Sequence, residues 1–584
     1  MDDALPKAHG GVLVDLLVNP QRRQELLAQS VDWPEWFLDA HQQCDLELLL
    51  NGGFSPLMGF MGSADIESIG KNLRLPCGTA WPLPVMLTVD KKAAQQVERS
   101  GRLVLRDQEG VALAVVQISE VWRWDRHNYA ARFLGTTDES HPGVRHCFQD
   151  MHDYAVAGQV EGIQLPQHHD FVQLRHTPAR LREQFHRMGW SNVVAFQTRN
   201  PMHRVHYEIT RQAVDQNGAK LLIHPVVGPT VVGDVDAYTR VRCYRALMPR
   251  YSQGSQSQNS RSQRSAMLSL LPLAMRMAGP REALLHAIVR KNYGCSHLIV
   301  GRDHASPGKN AKGQSFYEPS EAQHLLEQWQ AELGITLCAT PQISYVEQWG
   351  RYCSSADIPK GVQTQQVSGS ELRHRLQRGA EVPEWLSFPE VMDVLKRRYP
   401  ARDKRGFCVF LTGLSGAGKS TIANVLRVKF LENDNRPVTL LDGDIVRKNL
   451  SSELGFSREH RDLNIRRIGF VASEIAKNGG IAICAPIAPF DRIRREVKES
   501  VEALGGFVLV YMATPLEECE RRDRKGLYAK ARSGTIKEFT GISDPYEVPE
   551  NADVVIDTTN MDVEPAAQRV LRFLKSEGYI DFHY

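Results

Sequence analysis

The sequence predicts a multidomain α/β protein. From about Leu181 onward, apolar strands alternate with helices, a pattern typical of βαβ units and parallel sheets. A glycine-rich turn, Gly413-Leu-Ser-Gly-Ala-Gly-Lys419-Ser420, lies between a predicted strand and a predicted helix. The length of 584 residues also exceeds that of a single domain, since domains usually comprise about 100–200 residues.

Residues 1–170 are predicted to form a β-rich barrel or sandwich. Short apolar runs at Arg102–Arg106 and Val111–Gln117 are separated by Gly and Pro. A parallel sheet is predicted to follow, with strands at Asn192–Phe196, Lys220–His224 and His297–Val300. The Ser/Gln-rich residues 252–264 offer no apolar surface to bury, so we predict a mobile surface insertion there.

Composition excludes several classes of protein. A formal charge of +3 is small for this length and implies no nucleic-acid binding. Ten scattered cysteines without a C-x-x-C pair argue against a disulfide framework or a zinc ribbon, and fit a reducing cytosol. The N-terminus lacks the pattern of a signal peptide, and no apolar run approaches about 18 residues. We therefore expect a cytoplasmic protein without a membrane segment.

The turn at residues 413–420 matches G-x-x-x-x-G-K-S, the phosphate-binding loop. Its glycines let backbone N–H groups surround phosphate, Lys419 reaches the outer phosphates, and the Ser420 hydroxyl holds Mg²⁺. An ordinary glycine-rich turn is the alternative, but the strand before it and the helix after it favour ATP binding. The predicted ATP-binding residues are Gly413, Ser415, Gly416, Ala417, Gly418, Lys419, Ser420 and Thr421.

A second candidate site begins at Gln197, directly after a predicted strand. If a helix begins near Pro201, then His203 and His206 lie on one face of it. Taken alone, the two imidazoles are compatible with a metal site, with structural packing, or with phosphate binding at a helix N-terminus. Gln197 and Arg199 are good donors to a tetrahedral oxyanion. The loop in Leu298–Gly308 follows another strand, so both loops should face one crevice of a doubly wound sheet.

Together these segments resemble ATP sulfurylase, whose motifs include Q-x-R-N-P-x-H-R-x-H and G-R-D-H-A-x-x-G. The resemblance covers about residues 1–400, and implies a PUA-like N-terminal domain followed by a nucleotidyltransferase-type, Rossmann-like α/β domain. It also implies that ATP and sulfate react to form adenylylsulfate, by orientation and electrostatics without a general base. Ser306 departs from the family pattern, in which glycine is usual. The implied catalytic residues are Thr198, Arg199, Asn200, His203 and His206; sulfate would contact Gln197, Arg199 and Ala305; ATP would contact Gln197, Asn200, Gly301, Arg302, Asp303, His304 and Ile343.

The C-terminal part carries further charged residues near the phosphate loop. Asp442 and Asp444 follow a predicted strand, where carboxylates orient Mg²⁺ or accept a proton. Arg447, Arg461 and Arg466 suit an anionic acceptor. The basic run 521–532 fits either a lid over the phosphates or a solvated helix face, and its charges alone leave both open.

Residues 404–580 resemble adenylylsulfate kinase, through Leu-Gly-Phe-Ser, Arg-Asp-Leu-Asn, Lys-Gly-Leu-Tyr and Phe-Thr-Gly-Ile-Ser-Asp-Pro-Tyr segments. The resemblance implies that the 3′-hydroxyl of adenylylsulfate attacks the γ-phosphate of ATP. Many members carry a serine, described as a phospho-intermediate, where this chain has Ala488, so direct in-line transfer is expected. Lys419 and Asp444 are implied as catalytic, Ser420 and Asp444 as Mg²⁺ ligands, and Asp442, Arg447, Phe456, Arg461, Asn464, Lys525 and Phe539 as adenylylsulfate-binding.

These resemblances imply a bifunctional enzyme with domains at residues 1–175, 176–400 and 401–584, the second ending in a small helical segment. Its expected partners are small molecules, namely ATP, sulfate, adenylylsulfate and pyrophosphate, with Mg²⁺ and no tightly bound organic cofactor. A homo-oligomer is expected from the family. Three alternatives remain: a kinase-like domain that only senses the end product, a sulfurylase that runs toward ATP, and an adenylyltransferase that binds an organic phosphate.

Overall fold

The computed structural model describes residues 5–229, 234–252, 265–455, 457–523, 525–536 and 538–582. Most of the predicted insertion, residues 253–264, lies outside these ranges, as do Phe456 and the side chains of Ser370 and Asp444. The chain divides into two compact units. The first comprises Met1–Gly369 and Pro383–Leu395, and the second comprises Ser370–Val382 and Lys396–Tyr584.

The N-terminal part of the first unit is a six-stranded mixed sheet, in agreement with the predicted β-rich region. Its order is β1-β4-β5-β6-β2, and β3 also pairs with β6. The predicted strand Arg102–Arg106 is confirmed as β4, and the second run belongs to the longer β5. The strands are β1 (Glu35–Phe37), β2 (Gly59–Phe60), β3 (Leu87–Val89), β4 (Arg102–Arg106), β5 (Ala112–Arg123) and β6 (Tyr154–Gly162); the helices are α1 (Pro20–Gln29), α2 (Ala40–Leu50), α3 (Ser63–Asn72), α4 (Lys91–Ser100), α5 (Arg126–Tyr129) and α6 (Pro142–Gln149).

A five-stranded parallel sheet follows, as the alternating pattern predicts. Its order is β11-β10-β7-β8-β9, so the chain winds outward from β7 in both directions and β7 lies beside β10. The elements are α7 (Pro178–Arg187), β7 (Val193–Phe196), α8 (Arg204–Asn217), β8 (Lys220–Ile223), α9 (Ala237–Ser252), β9 (Ala266–Leu268), α10 (Gly279–Asn292), β10 (His297–Val300), α11 (Glu321–Leu333) and β11 (Thr336–Ala339).

One buried apolar core joins the N-terminal sheet to the parallel sheet. Trp81 and Val116 from the N-terminal part belong to the same cluster as Leu222 and Val300 from the parallel sheet and Leu285 from α10. Burial of this shared surface couples the two sheets into one unit, since apolar burial is the main stabilising contribution to folding. After the parallel sheet come β12 (Ile343–Val346), β13 (Arg351–Ser354), β14 (Thr364–Gln365), α12 (Gly369–Gln377) and α13 (Pro389–Arg398), the strands forming an antiparallel sheet ordered β13-β12-β14.

The second unit contains a five-stranded parallel sheet in the order β16-β17-β15-β18-β19. Its central strand β15 leads into the phosphate loop and is buried along its whole length, as expected for an apolar run in a parallel sheet. The elements are β15 (Phe407–Gly413), α14 (Lys419–Asn433), β16 (Val438–Asp442), α15 (Gly443–Asn449), α16 (Arg458–Lys477), β17 (Ile481–Ala485), α17 (Asp491–Glu502), β18 (Gly506–Met512), α18 (Leu516–Arg522), α19 (Leu527–Arg532), β19 (Val554–Ile556) and α20 (Val563–Ser576).

Within the described ranges, no helix is both long enough and apolar enough to cross a membrane.

Candidate active sites

The first candidate site lies at the carboxyl ends of β7 and β10. These strands are parallel neighbours at the point where the winding direction of the sheet reverses. Ligands bind in the crevice at such a point in open α/β sheets. The loop from Gln197 to Asn200 follows β7, and the loop from Gly301 to Ala305 follows β10. The structure thus places both predicted segments at one edge of the sheet.

The loop after β7 is held by a buried tyrosine. Tyr244 donates hydrogen bonds from its hydroxyl to the backbone carbonyls of Asn200, at 2.8 Å, and Thr198, at 3.2 Å. Thr198 Oγ1 also accepts from the backbone N–H of Asn200 at 3.1 Å. These bonds fix the backbone from which Gln197 and Arg199 project, which favours the pre-organised binding of an anion.

Arg199 and Gln197 each have a charged partner. Nη1 of Arg199 donates to Oδ2 of Asp234 at 3.0 Å, with both side chains half-buried. Oε1 of Gln197 accepts from Nη2 of Arg290, whose side chain is fully buried. Both predicted oxyanion donors are therefore held in one orientation by a second residue.

His203 and His206 lie close together, but the predicted helix start is wrong. The helix α8 begins at Arg204, with His203 as its N-cap, because the backbone N–H of His203 donates to Nδ1 of His206 at 3.0 Å. Nδ1 of His203 lies 2.9 Å from Oγ of Ser387. Among the described residues, no group of His, Cys, Asp and Glu side chains forms a candidate metal site.

Both histidines are neutral at neutral pH. Desolvation lowers the pKa of His206 to about 4 and, together with the nearby His206, lowers that of His203 to about 3. Since Nδ1 of His206 accepts a hydrogen bond, its proton lies on Nε2. His206 can therefore offer a neutral N–H donor to a phosphate oxygen.

The loop after β10 is supported by a buried chain of polar groups. Nε2 of His304 lies 2.9 Å from Nδ1 of His286, and Nε2 of His286 lies 3.5 Å from Oε1 of Glu282. The Glu282 carboxylate in turn accepts from the backbone N–H groups of Arg276 and Ala278, at 2.8 and 2.9 Å. Desolvation and the neighbouring His286 lower the pKa of His304 to about 3. His304 is thus a neutral group in a fixed orientation.

The rest of this loop adopts a compact turn. Ala305 has a φ of 54°, in the left-handed region that side chains other than glycine rarely adopt. The Ser306 hydroxyl, at the position where glycine is usual, accepts from the backbone N–H of Gly308 at 3.1 Å. This bond ties the serine side chain to the backbone of the loop.

A cavity of about 400 Å³ opens beside Arg302 and Asp303 and has an aromatic wall. Tyr345 and Trp385 stack with ring centroids 4.8 Å apart and an interplanar angle of 7°. The predicted adenine contact Ile343 also lines this cavity. Sequence analysis missed the aromatic residues, because Trp385 is distant in the chain from Tyr345 and only the fold brings them together. The remaining lining residues are Val205, Pro341, Gln342, Tyr352, Gln365, Gln366, Val367 and Leu386.

The second candidate site is the phosphate loop of the second unit. The loop lies between β15, which ends at Gly413, and α14, which begins at Lys419. Gly416 and Gly418 have φ values of 79° and 92°, a conformation that lets the backbone curl and that glycine adopts without strain. Ser415 accepts, through its carbonyl, a hydrogen bond of 2.8 Å from the Tyr528 hydroxyl. Gly413, Ser415, Gly416, Ala417, Gly418, Lys419, Ser420 and Thr421 are thus arranged as strand, loop and first helical turn.

Lys419 is folded back onto the loop. Its Nζ donates to the carbonyls of Gly413 at 2.9 Å and Leu414 at 2.7 Å. Desolvation lowers the pKa of Lys419 to about 8. The ammonium group is thus buried against the phosphate loop, and it is predicted to bind phosphates together with this loop.

Ser420 and Asp442 are brought together across the sheet. Oγ of Ser420 donates to Oδ2 of Asp442 at 2.5 Å, although β16 and β15 are separated by β17. Oxygen ligands of this kind are those that Mg²⁺ prefers. The sequence offered both Asp442 and Asp444 as carboxylates near Mg²⁺, and the kinase resemblance then implied adenylylsulfate for Asp442 and Mg²⁺ for Asp444. The structure places the Asp442 carboxylate beside Ser420. The side chain of Asp444 lies outside what the structure describes.

The predicted acceptor residues converge only in part. Arg461 donates to Oγ1 of Thr540 at 3.0 Å and pairs with Asp544, and the buried Asn464 lies one turn further along α16. Arg447 donates to the carbonyls of Leu454 and Gly455, so it braces the backbone at these two residues. Lys525 lies just before α19, and the Phe539 ring packs edge-on against Tyr528 with centroids 5.1 Å apart.

Arg466 does not join this group. It is exposed and pairs with Glu496 at 2.8 Å, so the sequence-based grouping of Arg466 with Arg447 and Arg461 is wrong. On α16, residues 464, 465 and 468 are buried in the unit's interior, whereas residue 466 lies on the exposed side of the helix.

The basic run 521–532 forms two short helices with paired charges. Arg521 and Arg522 both bond to Glu518, and Arg532 bonds to Glu520 at 2.8 Å. These pairs favour the solvated-helix interpretation over a free basic lid for the described part of the run. Arg524 lies outside it.

A cavity of about 550 Å³ in the second unit lies between the end of β18 and the loop at 541–548. Asp544, the partner of Arg461, lines it together with Leu414 of the phosphate loop. Near the end of β17, Ala488 is buried with a φ of 45°. Its methyl group offers no hydroxyl for a covalent phosphate.

Two crevices, each at the carboxyl end of a parallel sheet, define a transferase of the nucleotide-binding α/β class. Three family models match the chain: the PUA-like domain at residues 6–165, ATP-sulfurylase at residues 172–398 and adenylylsulphate kinase at residues 405–557. The chain is 48% identical over 576 residues to a sulfate adenylyltransferase from Phaeosphaeria nodorum, covering 98% of this chain and 99% of that one. The chain belongs to the sulfate adenylyltransferase family, and it combines sulfurylase and adenylylsulfate kinase domains.

Other relatives agree. A sulfate adenylyltransferase from Aspergillus terreus is 46% identical over 578 residues, with 98% and 99% of the two chains covered. A solved structure, described as a hexameric APS kinase from Thiobacillus denitrificans, is 40% identical with a TM-score of 0.77, and covers 99% of this chain and 100% of that one. The predicted family and the predicted succession of PUA-like, sulfurylase and phosphate-loop folds are therefore confirmed.

Proposed function

We propose that the chain joins sulfate to the adenylyl group of ATP, and then phosphorylates the 3′-hydroxyl of the adenylylsulfate. The proposal is supported by the arrangement of donor-bearing loops at the carboxyl ends of a parallel sheet in each unit. In the first, the loop that carries Gln197 and Arg199 and the loop of Gly301 to Ala305 follow neighbouring parallel strands. In the second, Lys419 and the Ser420–Asp442 pair surround a phosphate loop.

For the first reaction, sulfate is held by Gln197, Arg199 and the backbone N–H of Ala305. ATP lies along Asn200 and the residues from Gly301 to His304, with its adenine in the cavity lined by Ile343 and the Tyr345–Trp385 stack. A sulfate oxygen attacks the α-phosphorus, and the bond to pyrophosphate breaks. Thr198 supports the loop through its hydrogen bond to the Asn200 backbone. Neutral His203 and His206 donate to phosphate oxygens, so rate enhancement comes from orientation and electrostatics.

For the second reaction, Lys419 leaves the Gly413 and Leu414 carbonyls for the outer phosphates of ATP. The Ser420 and Asp442 oxygens, with Asp444, would hold Mg²⁺, which when bound neutralises phosphate charge. Arg447, Arg461, Asn464, Lys525, Phe456 and Phe539 hold the acceptor. The 3′-oxygen attacks the γ-phosphorus directly, its proton passes to a neighbouring carboxylate, and ADP leaves.

Coupling of the two reactions has a thermodynamic purpose. The phospho-sulfate anhydride is a high-energy bond, so the first reaction is unfavourable, and the kinase removes its product. Purified full-length protein should convert ATP, Mg²⁺ and sulfate, with added pyrophosphatase, into the 3′-phosphorylated product. Accumulation of adenylylsulfate without that product would refute the kinase step.

A second candidate function is a kinase-like unit that senses the end product without catalysis. The intact loop residues Gly418, Lys419 and Ser420, and the pairing of Ser420 with Asp442, favour catalysis. Full-length protein supplied with adenylylsulfate and ATP distinguishes these functions by direct measurement of ADP release. The ATP-forming direction is tested separately, with adenylylsulfate and pyrophosphate as substrates.

We further propose domain boundaries at residues 1–175, 176–400 and 401–584, and a homo-oligomer. The relative from Thiobacillus denitrificans, described as hexameric, supports the second proposal. Light scattering coupled to size-exclusion chromatography tests it, and a mass of one chain would refute it.

A further inference from the structure

A fully buried guanidinium lies directly behind the proposed sulfate site. Arg290 is on α10, and Nη2 donates to Oε1 of Gln197 and to the carbonyl of His224, the latter at 3.2 Å. Its Nε and Nη1 have no hydrogen-bond partner among the described residues. Burial lowers the pKa of Arg290 to about 10, which leaves it a cation at neutral pH.

The contact fixes which end of the Gln197 amide faces outward. A glutamine amide has an oxygen that accepts and a nitrogen that donates two hydrogens, whereas a guanidinium only donates. A rotated amide would set donor against donor in a buried place, which is costly. Oε1 therefore faces Arg290, and Nε2 has only a weak contact, with Met275 Sδ at 3.8 Å. The amide hydrogens remain available to the crevice.

We infer that Arg290 is a specificity-determining positioning residue, which orients Gln197 so that the anion pocket presents donors and rejects oxyanions that carry a proton. This inference rests on the proposed function, in which Gln197 binds sulfate. Sulfate has four oxygens without hydrogens at neutral pH, so a pocket of donors satisfies it. Hydrogen phosphate has a similar shape but carries a P–O–H group that needs an acceptor.

Two groups near the pocket have oxygens that accept hydrogen bonds, namely the Asp234 carboxylate and the Gln197 amide. The Asp234 carboxylate already accepts from Arg199 at 3.0 Å. The Gln197 oxygen would be an acceptor if the amide turned, and Arg290 prevents this.

The test compares sulfate with phosphate in the full-length protein. Sulfate-dependent exchange between ATP and pyrophosphate gives the KM for sulfate, and inhibition by inorganic phosphate gives its Ki. In Arg290→Met we expect the KM for sulfate to rise about 10-fold, and the ratio of phosphate Ki to sulfate KM to fall about 10-fold. Methionine fills a similar volume, and replacement of a buried cation by an apolar side chain is often tolerated.

Matched variants separate orientation from simple loss of charge or packing. Arg182→Met is the control: this partly buried arginine donates to the carbonyls of Asn292 and Lys291 at the end of α10, and its loss should leave the ratio unchanged. In a Gln197→Leu background, Arg290→Met should change the ratio less than about twofold, because the group on which it acts is gone. In Arg290→Lys the new side chain is also a hydrogen-bond donor without an acceptor, so the ratio should stay close to that of wild type.

A ratio that stays within about twofold of wild type in folded Arg290→Met, or that changes equally in both backgrounds, overturns the inference. If Arg290→Met does not fold, the inference is tested with Gln197→Glu. This variant places an acceptor toward the pocket, so it should weaken the binding of sulfate far more than the binding of phosphate. Equal weakening of both anions then overturns the inference. Wild-type protein without sulfate-dependent exchange refutes the proposed function instead, so the two failures are distinguishable.

Discussion

Arg199 and Asp234 form an ion pair of 3.0 Å in the crevice of the first unit. The guanidinium that is proposed to bind sulfate is therefore positioned by a carboxylate. An arginine has five N–H donors in a planar fork, so it can keep this partner and still bind an oxyanion.

Arg199→Ala should lower sulfurylase activity about 100-fold or more, because a charged donor to a partly desolvated anion is lost. Kinase activity, measured with supplied adenylylsulfate, should remain within about twofold. Arg211→Ala is the control, since this exposed arginine on α8 pairs with Glu208 and Asp215. Loss of both activities in a folded Arg199→Ala protein would contradict two separate sites.

Lys419→Ala should have the opposite pattern. Kinase activity should fall about 100-fold or more, since the ammonium group on the phosphate loop is lost, while sulfurylase activity persists. Lys429→Ala, further along the same helix, removes only a pair with Glu564 at 3.0 Å and should retain both activities. Retained kinase activity in Lys419→Ala would refute the role given to this residue.

Lys419 should also take up a proton when ATP binds at a pH above the pKa of this lysine. Burial lowers that pKa to about 8, so above this pH the free protein holds Lys419 largely neutral. Bound phosphates favour the charged form and raise the pKa, whereas below it the lysine is already protonated. Calorimetry in buffers of different ionisation enthalpy should detect uptake of up to one proton above about pH 8.

This uptake should disappear in Lys419→Met if the lysine is its source. The first unit also binds ATP, so the uptake by Lys419→Met is compared with that by Lys429→Met, in which the contribution of the first unit is the same. Equal uptake in the Lys419 and Lys429 variants would exclude the assignment.

Acid should destabilise the first unit through its neutral histidines. The pKa of His206 falls from 6.5 to about 4 on folding, so between these values the unfolded chain binds a proton that the folded chain does not. Stability is therefore present above about pH 6.5 and is lost as the pH falls toward 4. His206→Gln should show a smaller loss of stability between neutral and acidic pH than wild type.

Tryptophan fluorescence during urea unfolding measures this unit alone, since all nine tryptophans precede residue 390. His186→Gln, at an exposed position, is the control. An identical pH dependence in His206→Gln and wild type would show that His206 does not contribute.

The kinase reaction should leave no phosphate on the protein. Ala488 occupies the position at which the resemblance to adenylylsulfate kinase implies a phosphorylated serine in many members, and its methyl group cannot accept phosphate. Protein incubated with γ-labelled ATP and then denatured should carry no label above that of Lys419→Ala. Stoichiometric label that chases into product would contradict direct transfer.

The sequence by itself determined the family, the phosphate loop and the strands that lead into both sites. These are local properties: a glycine turn between strand and helix, or a loop that follows an apolar run, is specified by adjacent residues. The start of α8 at Arg204 was missed, because a contact between the His203 backbone and the His206 ring decides it.

Only the tertiary structure decided which side chains support the sites from behind. Arg290 is one buried residue on an apolar helix, and nothing in its neighbourhood along the chain shows that it faces Gln197, 93 positions away. The Tyr345–Trp385 stack and the Ser420–Asp442 contact are of the same kind. Such contacts depend on how the helices and strands pack in three dimensions, so they cannot be predicted from hydrophobic periodicity or motif spacing.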